Sequence, residues 1–256
     1  MELPQNPALL VIAHPGHELR AFGWLMRNRP QVCVLTDGSG RNMVPRIETT
    51  RALLNRHGAT LGGWSGQYSD REIYSWVLEG NVEPFVECAA SLADRIESEG
   101  IGLVVGDAME GRIMTHDVLR FAINAAVVRA RKKGMPVRNF DFVLDSIPRQ
   151  RPSGGGAISL SLNDEEFAAK YAAAQNYEEL KTEVDKALQL YGEAPFRTEI
   201  FEPVEDDARL DDLPSETPHY ERHGEEQVKL GVYPAVIRYR DHVLPLAQEI
   251  RRQLGV

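Results

Sequence analysis

The hydrophobic positions in the first 145 residues alternate between two patterns. Short continuous apolar runs predict buried strands, and they lie at residues 8–15, 31–38, 101–107 and 137–146. Amphipathic segments with a helical period lie between them, at residues 18–29, 44–59, 82–100 and 115–134. Buried strands that alternate with helices predict an α/β fold, a Rossmann-like and mostly parallel sheet with helices on both faces.

The pattern becomes less regular after residue 148. The composition of residues 149–156, RQRPSGGG, predicts a flexible connection. These glycines could instead cradle a phosphate, although they match no phosphate-binding glycine motif. Asn163, followed three residues later by Glu166, predicts a capping box that opens a long helix. The acidic residues 203–217 predict a solvated loop.

The end of the chain predicts a further helix. Residues 236–254 are amphipathic, with an interruption near Pro245. We therefore expect a Rossmann-like metal-binding core at residues 1–150. Residues 151–256 would form a C-terminal helical extension that packs on this core and lines its pocket, within one structural domain.

Polar residues follow the ends of three predicted strands. His14, Asp37 and Asp107 occupy these positions, and ligands of parallel sheets bind outside the carboxyl ends of the strands. In the segment ALLVIAHPGHELR, His14 and His17 are separated by a Pro-Gly turn that could bring both imidazoles to one point. Neutral imidazole is the commonest metal ligand. The alternative is a loop with two exposed histidines.

A third ligand is available in His116, which begins the helix after the third predicted strand. Two or three such ligands with an open position describe a catalytic zinc site, and another divalent metal is the alternative. His57 is expected at the surface or in a helix cap, and His242 in the core or an interface. His219 and His223 are four residues apart, so they could hold a second metal on one helical face, although a polar loop or subunit contact suits them better.

Charge and composition exclude several classes of protein. The 256 residues carry a formal net charge of −9, which argues against nucleic-acid binding because that needs a basic surface. No apolar run approaches a membrane span, and the N-terminal residues do not resemble a signal peptide. Cys33 and Cys88 lie in apolar segments as small buried side chains, which favours a reducing cytoplasm. The sequence is compatible with a homo-oligomer but does not establish the oligomeric state.

Four segments together resemble the LmbE-like (PIG-L) family of zinc-dependent N-acetylglucosaminyl deacetylases. That family has a Rossmann-like fold and opens with a strand and Ala-His-Pro-Asp-Asp-Glu. A strand ending near Thr-x-Gly, a helix with an arginine and a later His-Pro-Asp-His segment follow. The counterparts here, in the same order over residues 8–145, are Ala13-His14-Pro15-Gly16-His17-Glu18, Thr36-Asp37-Gly38, Arg46 and Ile113-Met114-Thr115-His116.

The chain departs from the family pattern at three positions. Gly16 replaces the aspartate that is the general base, and His17 replaces an aspartate that is a metal ligand. Ile113 replaces a histidine that stabilises the transition state. The resemblance therefore implies a zinc site of His14, His17 and His116, without the usual base. Three neutral ligands leave the ion its full charge, and such a site can bring bound water to a pKa of about 7.

The missing base and histidine leave open which groups perform catalysis. Asp117 and Glu18 are candidates for protonating the leaving amine, and Arg112 could stabilise an oxyanion. Asp117 could instead be a favourable charge in the first turn of a helix. Glu18 could instead cap a helix or orient a histidine.

Four further residues are candidates for substrate binding. Arg46 corresponds to a substrate-contacting arginine of the family, although a surface salt bridge would also explain it. Asp37 could contact a sugar hydroxyl, or be a turn residue. Asp107 and Glu110 are an acidic pair that could bind substrate or supply the proton.

These residues together predict a zinc-dependent hydrolase acting on an N-acetylated sugar or sugar conjugate, with O-deacetylation as a close variant. One alternative is a catalytically impaired family member that binds a carbohydrate or a protein partner. A nucleotide-binding Rossmann protein is a third hypothesis, opposed by the absence of a glycine fingerprint after the first strand.

Overall fold

In the described residues, five strands paired in parallel and two more joined by antiparallel pairing form a seven-stranded sheet. A computed structural model of the chain describes residues 7–40, 43–144, 147–204 and 216–256. Within these residues the strands are β1 (Ala8–Ile12), β2 (Gln31–Val34), β3 (Thr60–Leu61), β4 (Leu103–Asp107), β5 (Arg138–Phe142), β6 (Ile158–Ser161) and β7 (Thr198–Pro203). They are ordered β3-β2-β1-β4-β5-β7-β6, with β6 and β7 antiparallel to their neighbours. The mostly parallel sheet is confirmed.

Helices cover this sheet. They are α1 (Phe22–Asn28), α2 (Ile47–Arg56), α3 (Asp70–Glu79), α4 (Glu83–Ser98), α5 (Met114–Lys132), α6 (Asp164–Gln175), α7 (Lys181–Tyr191), α8 (His219–Lys229) and α9 (Leu244–Leu254). A π-helical turn, Tyr239–Val243, precedes α9, and Pro245 lies in the first turn of α9. The predicted interruption near Pro245 is therefore the start of a helix, where proline is tolerated. None of the described helices is long and apolar enough to span a membrane.

Strand β1 shows why the sheet is buried on both faces. Leu9 and Val11 belong to a cluster with α3, α4, α5 and α9, whereas Leu10 and Ile12 belong to a cluster with α1, α2 and α6. Successive strand residues point to opposite faces, so a continuous apolar run is needed where helices cover both. The prediction of helices on both faces is confirmed.

The region after residue 150 is more varied than the predicted helical extension. The capping box of Asn163 and Glu166 is present, but its helix α6 ends at Gln175 and α7 follows separately. Strands β6 and β7 were not predicted, and they extend the sheet at its β5 edge. Residues 149–156 form no helix or strand, as expected. Of the loop predicted at 203–217, residues 205–215 lie outside the described residues. The division into 1–150 and 151–256 stays a prediction.

A buried ion pair joins the C-terminal region to helix α1. The carboxylate of Glu199 on β7 accepts hydrogen bonds from the backbone N–H groups of Gly23 (2.8 Å) and Trp24 (2.8 Å). It also accepts one from Lys170 Nζ on α6 (2.7 Å). These N–H groups lie in the first turn of α1, which has no side-chain cap of its own. Glu199 therefore caps α1 from a distant strand.

Candidate metal centre

Three histidines from two parts of the chain converge at the carboxyl edge of the sheet. His14 follows β1, His17 begins the 3₁₀ turn His17–Leu19, and His116 lies in the first turn of α5. Their ring centroids are 5.1 Å (His14–His17), 5.2 Å (His14–His116) and 4.7 Å (His17–His116) apart. One ring nitrogen from each lies within 4.8 Å of the others. The sheet order places this cluster beside the switch point between β1 and β4, where ligands of such sheets bind.

The turn between the first two histidines depends on Gly16. This residue has a φ of +102°, in the left-handed region that favours glycine. The turn closes with a hydrogen bond from the His17 N–H to the His14 carbonyl (3.3 Å). A Cβ atom at position 16 would lie 2.1 Å from Leu180 Cδ1. In the family that the sequence resembles, this position holds an aspartate. Here the space that such a side chain would enter is occupied by Leu180.

His14 is oriented by groups that follow β2. Its Nδ1 lies 2.9 Å from Thr36 Oγ1 and 2.9 Å from the Oδ1 atom of Asp70 in the first turn of α3. Asp70 is held in turn by the N–H of Gly40, which donates to its Oδ2 (2.6 Å). With Nδ1 engaged, the other ring nitrogen of His14 is available to an ion.

His17 has a similar partner on β4. Its Nδ1 lies 2.9 Å from Asp107 Oδ2, and this oxygen also accepts a hydrogen bond from the Ala13 N–H (2.7 Å). Asp107 is fully buried. Arg120, buried on α5, donates to the Asp107 carbonyl (2.6 Å) and to Asn139 Oδ1 (3.1 Å). Asp107 was a candidate for substrate binding, and the structure places it in contact with a histidine.

Burial keeps the imidazoles of His17 and His116 in the neutral form that binds metals. Burial lowers the pKa of His17, with Asp107 opposing this effect. The pKa of His116 is far below its usual value because of burial and the proximity of His17 and His14. Asp70 behaves differently, since burial raises its pKa but the hydrogen bonds with His14, Gly40 and Thr36 outweigh burial and leave it below normal. At neutral pH we therefore expect neutral rings on His17 and His116, and an ionised Asp70.

The donor set suits a transition-metal ion. Three neutral imidazoles with two outer carboxylates match zinc, whose ligating histidines commonly donate their second N–H to a carboxylate. Harder ions such as Mg²⁺ and Ca²⁺ prefer oxygen ligands, which this cluster does not supply directly. His14, His17 and His116 are thus the residues that could hold the ion.

Glu18 is fully buried. It accepts hydrogen bonds from the Gly16 N–H (2.7 Å) and from Thr50 Oγ1 (2.6 Å), which also contacts the Tyr177 hydroxyl (2.9 Å). Burial raises the pKa of Glu18 to about 6. Both of its oxygens are engaged, so in this conformation it braces the turn that carries His17.

The remaining catalytic candidates are Asp117, in the first turn of α5, and Arg112, on the loop before that helix. Asp117 is buried and accepts hydrogen bonds from the N–H groups of Glu110 (3.2 Å) and Gly111 (3.2 Å). The carboxylate of Glu110 accepts one from the Leu144 N–H (2.6 Å). Arg112 is exposed at the rim. Asp117 and Glu110 therefore hold neighbouring backbone in place, and their proposed chemical roles stay predictions.

The other two substrate-binding candidates also make structural contacts. Arg46 is partly buried and donates to the carbonyls of Pro15 (3.0 Å) and Gly38 (2.7 Å). Asp37 Oδ1 accepts a hydrogen bond from the Ser39 N–H (2.8 Å), the contact of a turn residue. Arg46 thus ties the loop that carries the histidine motif to the loop after β2, and direct contact with substrate stays a prediction.

The four histidines outside the cluster take structural positions. His57 caps the C-terminus of α2 and packs edge-on against Phe22. His242 lies in the π-helical turn, where its Nδ1 accepts a hydrogen bond from the Arg238 N–H (2.9 Å). His219 and His223 stack on α8 with centroids 5.9 Å apart. In the described residues these two form no cluster of three ligands.

A surface cavity of about 840 Å³ lies elsewhere, between α2 and α6. Its lining includes several alanines, Leu53 and Tyr177, together with Glu48 and Arg56. None of the three clustered histidines lines it. The candidate site is therefore identified by the convergence of metal-ligating groups and not by the size of a cavity.

Comparison with solved structures supports the fold. A crystal structure of the zinc-inhibited form of teicoplanin deacetylase Orf2 aligns with 16% identity and a TM-score of 0.51, covering 78% of this chain and 100% of that one. A deacetylase–bog complex from the teicoplanin biosynthesis pathway aligns with 16% identity and a TM-score of 0.50 over the same shares. The chain has the fold of these deacetylases. No protein-family model and no curated protein matches it.

Gly16 provides a test of how tightly this fold constrains the histidine turn. We expect Gly16→Ala to lower the free energy of unfolding by about 1–3 kcal/mol, because the backbone is left-handed and the new Cβ displaces Leu180. Chemical denaturation measures this change. Gly80→Ala is the matched control, since Gly80 has a φ of +69° and open space around it. Equal losses in both variants would show that the contact with Leu180 is unimportant.

Proposed function

We propose that the protein is a zinc-dependent hydrolase that removes an acetyl group from an N-acetylated sugar or sugar conjugate. The observation that carries this proposal is the cluster of three imidazoles within 4.8 Å, at the ligand-binding edge of a fold shared with solved deacetylases. One of those solved structures is the zinc-inhibited form of teicoplanin deacetylase Orf2.

The roles of the residues follow from their positions. A bound zinc ion would supply Lewis acidity toward the acetyl carbonyl and a coordinated water. His14, His17 and His116 would hold the ion, and Arg46 would keep the loops around it in register. Exposed Arg112 lies on the segment that leads to His116, where it could approach negative charge that develops on the substrate.

The candidate proton donors are engaged in structural hydrogen bonds, which makes esters suitable substrates as well as amides. Glu18 is engaged through both oxygens, and Asp117 is buried against backbone N–H groups. An amine must be protonated as it leaves, whereas an alcohol needs less help. O-acetylated sugars are therefore a second substrate class within the proposal.

We expect acetate release from an N-acetyl or O-acetyl sugar in a panel of both kinds, with dependence on added zinc. His116→Ala should abolish this release, because it removes a ligand. His219→Ala on α8 should retain it and serves as the matched histidine control. Zinc binding without acetate release from any member of the panel would contradict a hydrolase and leave a carbohydrate- or partner-binding protein.

A further inference from the structure

Two carboxylates lie immediately behind the histidine cluster, and they come from separate elements. Asp70 from α3 contacts Nδ1 of His14, and Asp107 from β4 contacts Nδ1 of His17, each at 2.9 Å. The sequence predicts Asp107 as a substrate contact or a proton donor, and it indicates no role for Asp70. Their shared geometry bears on how the two histidines would present themselves to a metal ion.

Each carboxylate is held by a backbone N–H group in addition to its contact with a histidine. The N–H of Gly40 donates to Asp70 Oδ2, and the N–H of Ala13 donates to Asp107 Oδ2. A carboxylate oxygen accepts hydrogen bonds, so its contact with a ring nitrogen is satisfied by a proton on that nitrogen. The contact with Asp107 favours a proton on Nδ1 of His17, and on His14 the same proton would face both Asp70 Oδ1 and Thr36 Oγ1, each 2.9 Å away.

We propose that Asp70 and Asp107 are positioning residues that hold His14 and His17 in the Nδ1–H tautomer and so present both Nε2 atoms to the metal ion. The inference rests on the proposed metal site, and it does not depend on which substrate is cleaved. The two carboxylates also place negative charge one ring away from the ion. A site whose direct ligands are neutral thereby gains anionic partners in its outer layer, which strengthen metal binding.

The aspartate-to-asparagine changes separate this role from simple packing. Asn has nearly the same shape as Asp, but its amide N–H₂ can donate to Nδ1 and so favour a proton on Nε2. That proton occupies the position where an ion would bind. We expect Asp70→Asn and Asp107→Asn each to weaken zinc affinity about 10- to 100-fold, measured by competition with a chromophoric chelator.

Asp94→Asn is the matched control, because Asp94 is a surface carboxylate on α4 that pairs with Arg129. Its zinc affinity should equal that of the parent protein. Unchanged zinc affinity in both Asp70→Asn and Asp107→Asn would overturn the proposal.

The tautomers can be measured directly in the unsubstituted protein without metal. With nitrogen-15-labelled histidine, the chemical shifts of the ring nitrogens show which one carries the proton, and loss of signals in His14→Ala and His17→Ala assigns them. We expect Nδ1–H for both residues. Nε2–H at both positions would overturn the proposal even if the Asn variants failed to fold. Because neither measurement uses a substrate, a failed deacetylase assay would leave this inference standing.

Discussion

Replacing His17 with alanine should remove most of the protein's affinity for zinc. Four-ligand zinc sites in peptides are worth about 10–16 kcal/mol, or roughly 3–4 kcal/mol per ligand. Since 1.4 kcal/mol is about a factor of ten, loss of one imidazole should weaken binding roughly 100- to 1,000-fold. Elemental analysis after dialysis should find one zinc per chain in the parent protein and much less in the variant.

The control for this experiment is His223→Ala, which removes an imidazole from α8, outside the cluster. It should retain the parent stoichiometry. Circular dichroism would establish that both variants are folded. Equal zinc content in the parent and His17→Ala would mean that the ion binds elsewhere, and the proposed hydrolase would lose its metal site.

The core of the fold could be predicted because its strands are buried on both faces. β1 and β4 are continuous apolar runs, and such runs are distinctive in a sequence. β3 has two residues, too few to show a period. β7 includes two buried glutamates, Glu199 and Glu202, which interrupt its apolar pattern. The strand was therefore missed because one of its buried positions holds a charge that caps a helix.

The metal ligands could be predicted, whereas their partners could not. His14 and His17 are close in sequence, and His116 begins a helix after a neighbouring strand. Asp70 reaches His14 through α3, and an isolated bridge between Thr36 and Tyr68 brings that helix to the end of β2. A signal for α3 existed in the capping box of Ser69 and Glu72. That capping box predicts a helix, but it does not predict the contact between Asp70 and His14, which are 56 residues apart in the sequence.

The two carboxylate partners change the charge that surrounds the proposed ion. Three neutral imidazoles alone would leave the ion its full charge. Asp70 and Asp107 add two carboxylates beside the ligating rings, one partly exposed (21%) and one fully buried (0%). The ligands become more basic when their outer N–H groups are held by anions. The acidity of coordinated water should therefore be lower than the ligand set alone implies.

The largest loss of stability is expected from Glu199→Ala. The change removes the cap of α1 and leaves the ammonium group of Lys170 buried without its carboxylate partner. Removing one member of a buried ion pair costs about 3–5 kcal/mol. Urea denaturation followed by tryptophan fluorescence measures it, because Trp24 lies in the affected helix turn.

A surface ion pair serves as the control for the loss of stability in Glu199→Ala. Asp94→Ala removes the partner of Arg129 on an exposed face, where such pairs contribute about 0–1 kcal/mol. If burial and capping are the cause, Glu199→Ala should cost several times more than Asp94→Ala. Similar losses in the two variants would show that α1 keeps its position without Glu199. A larger loss would establish that a strand of the C-terminal region stabilises α1, the helix that follows the histidine turn.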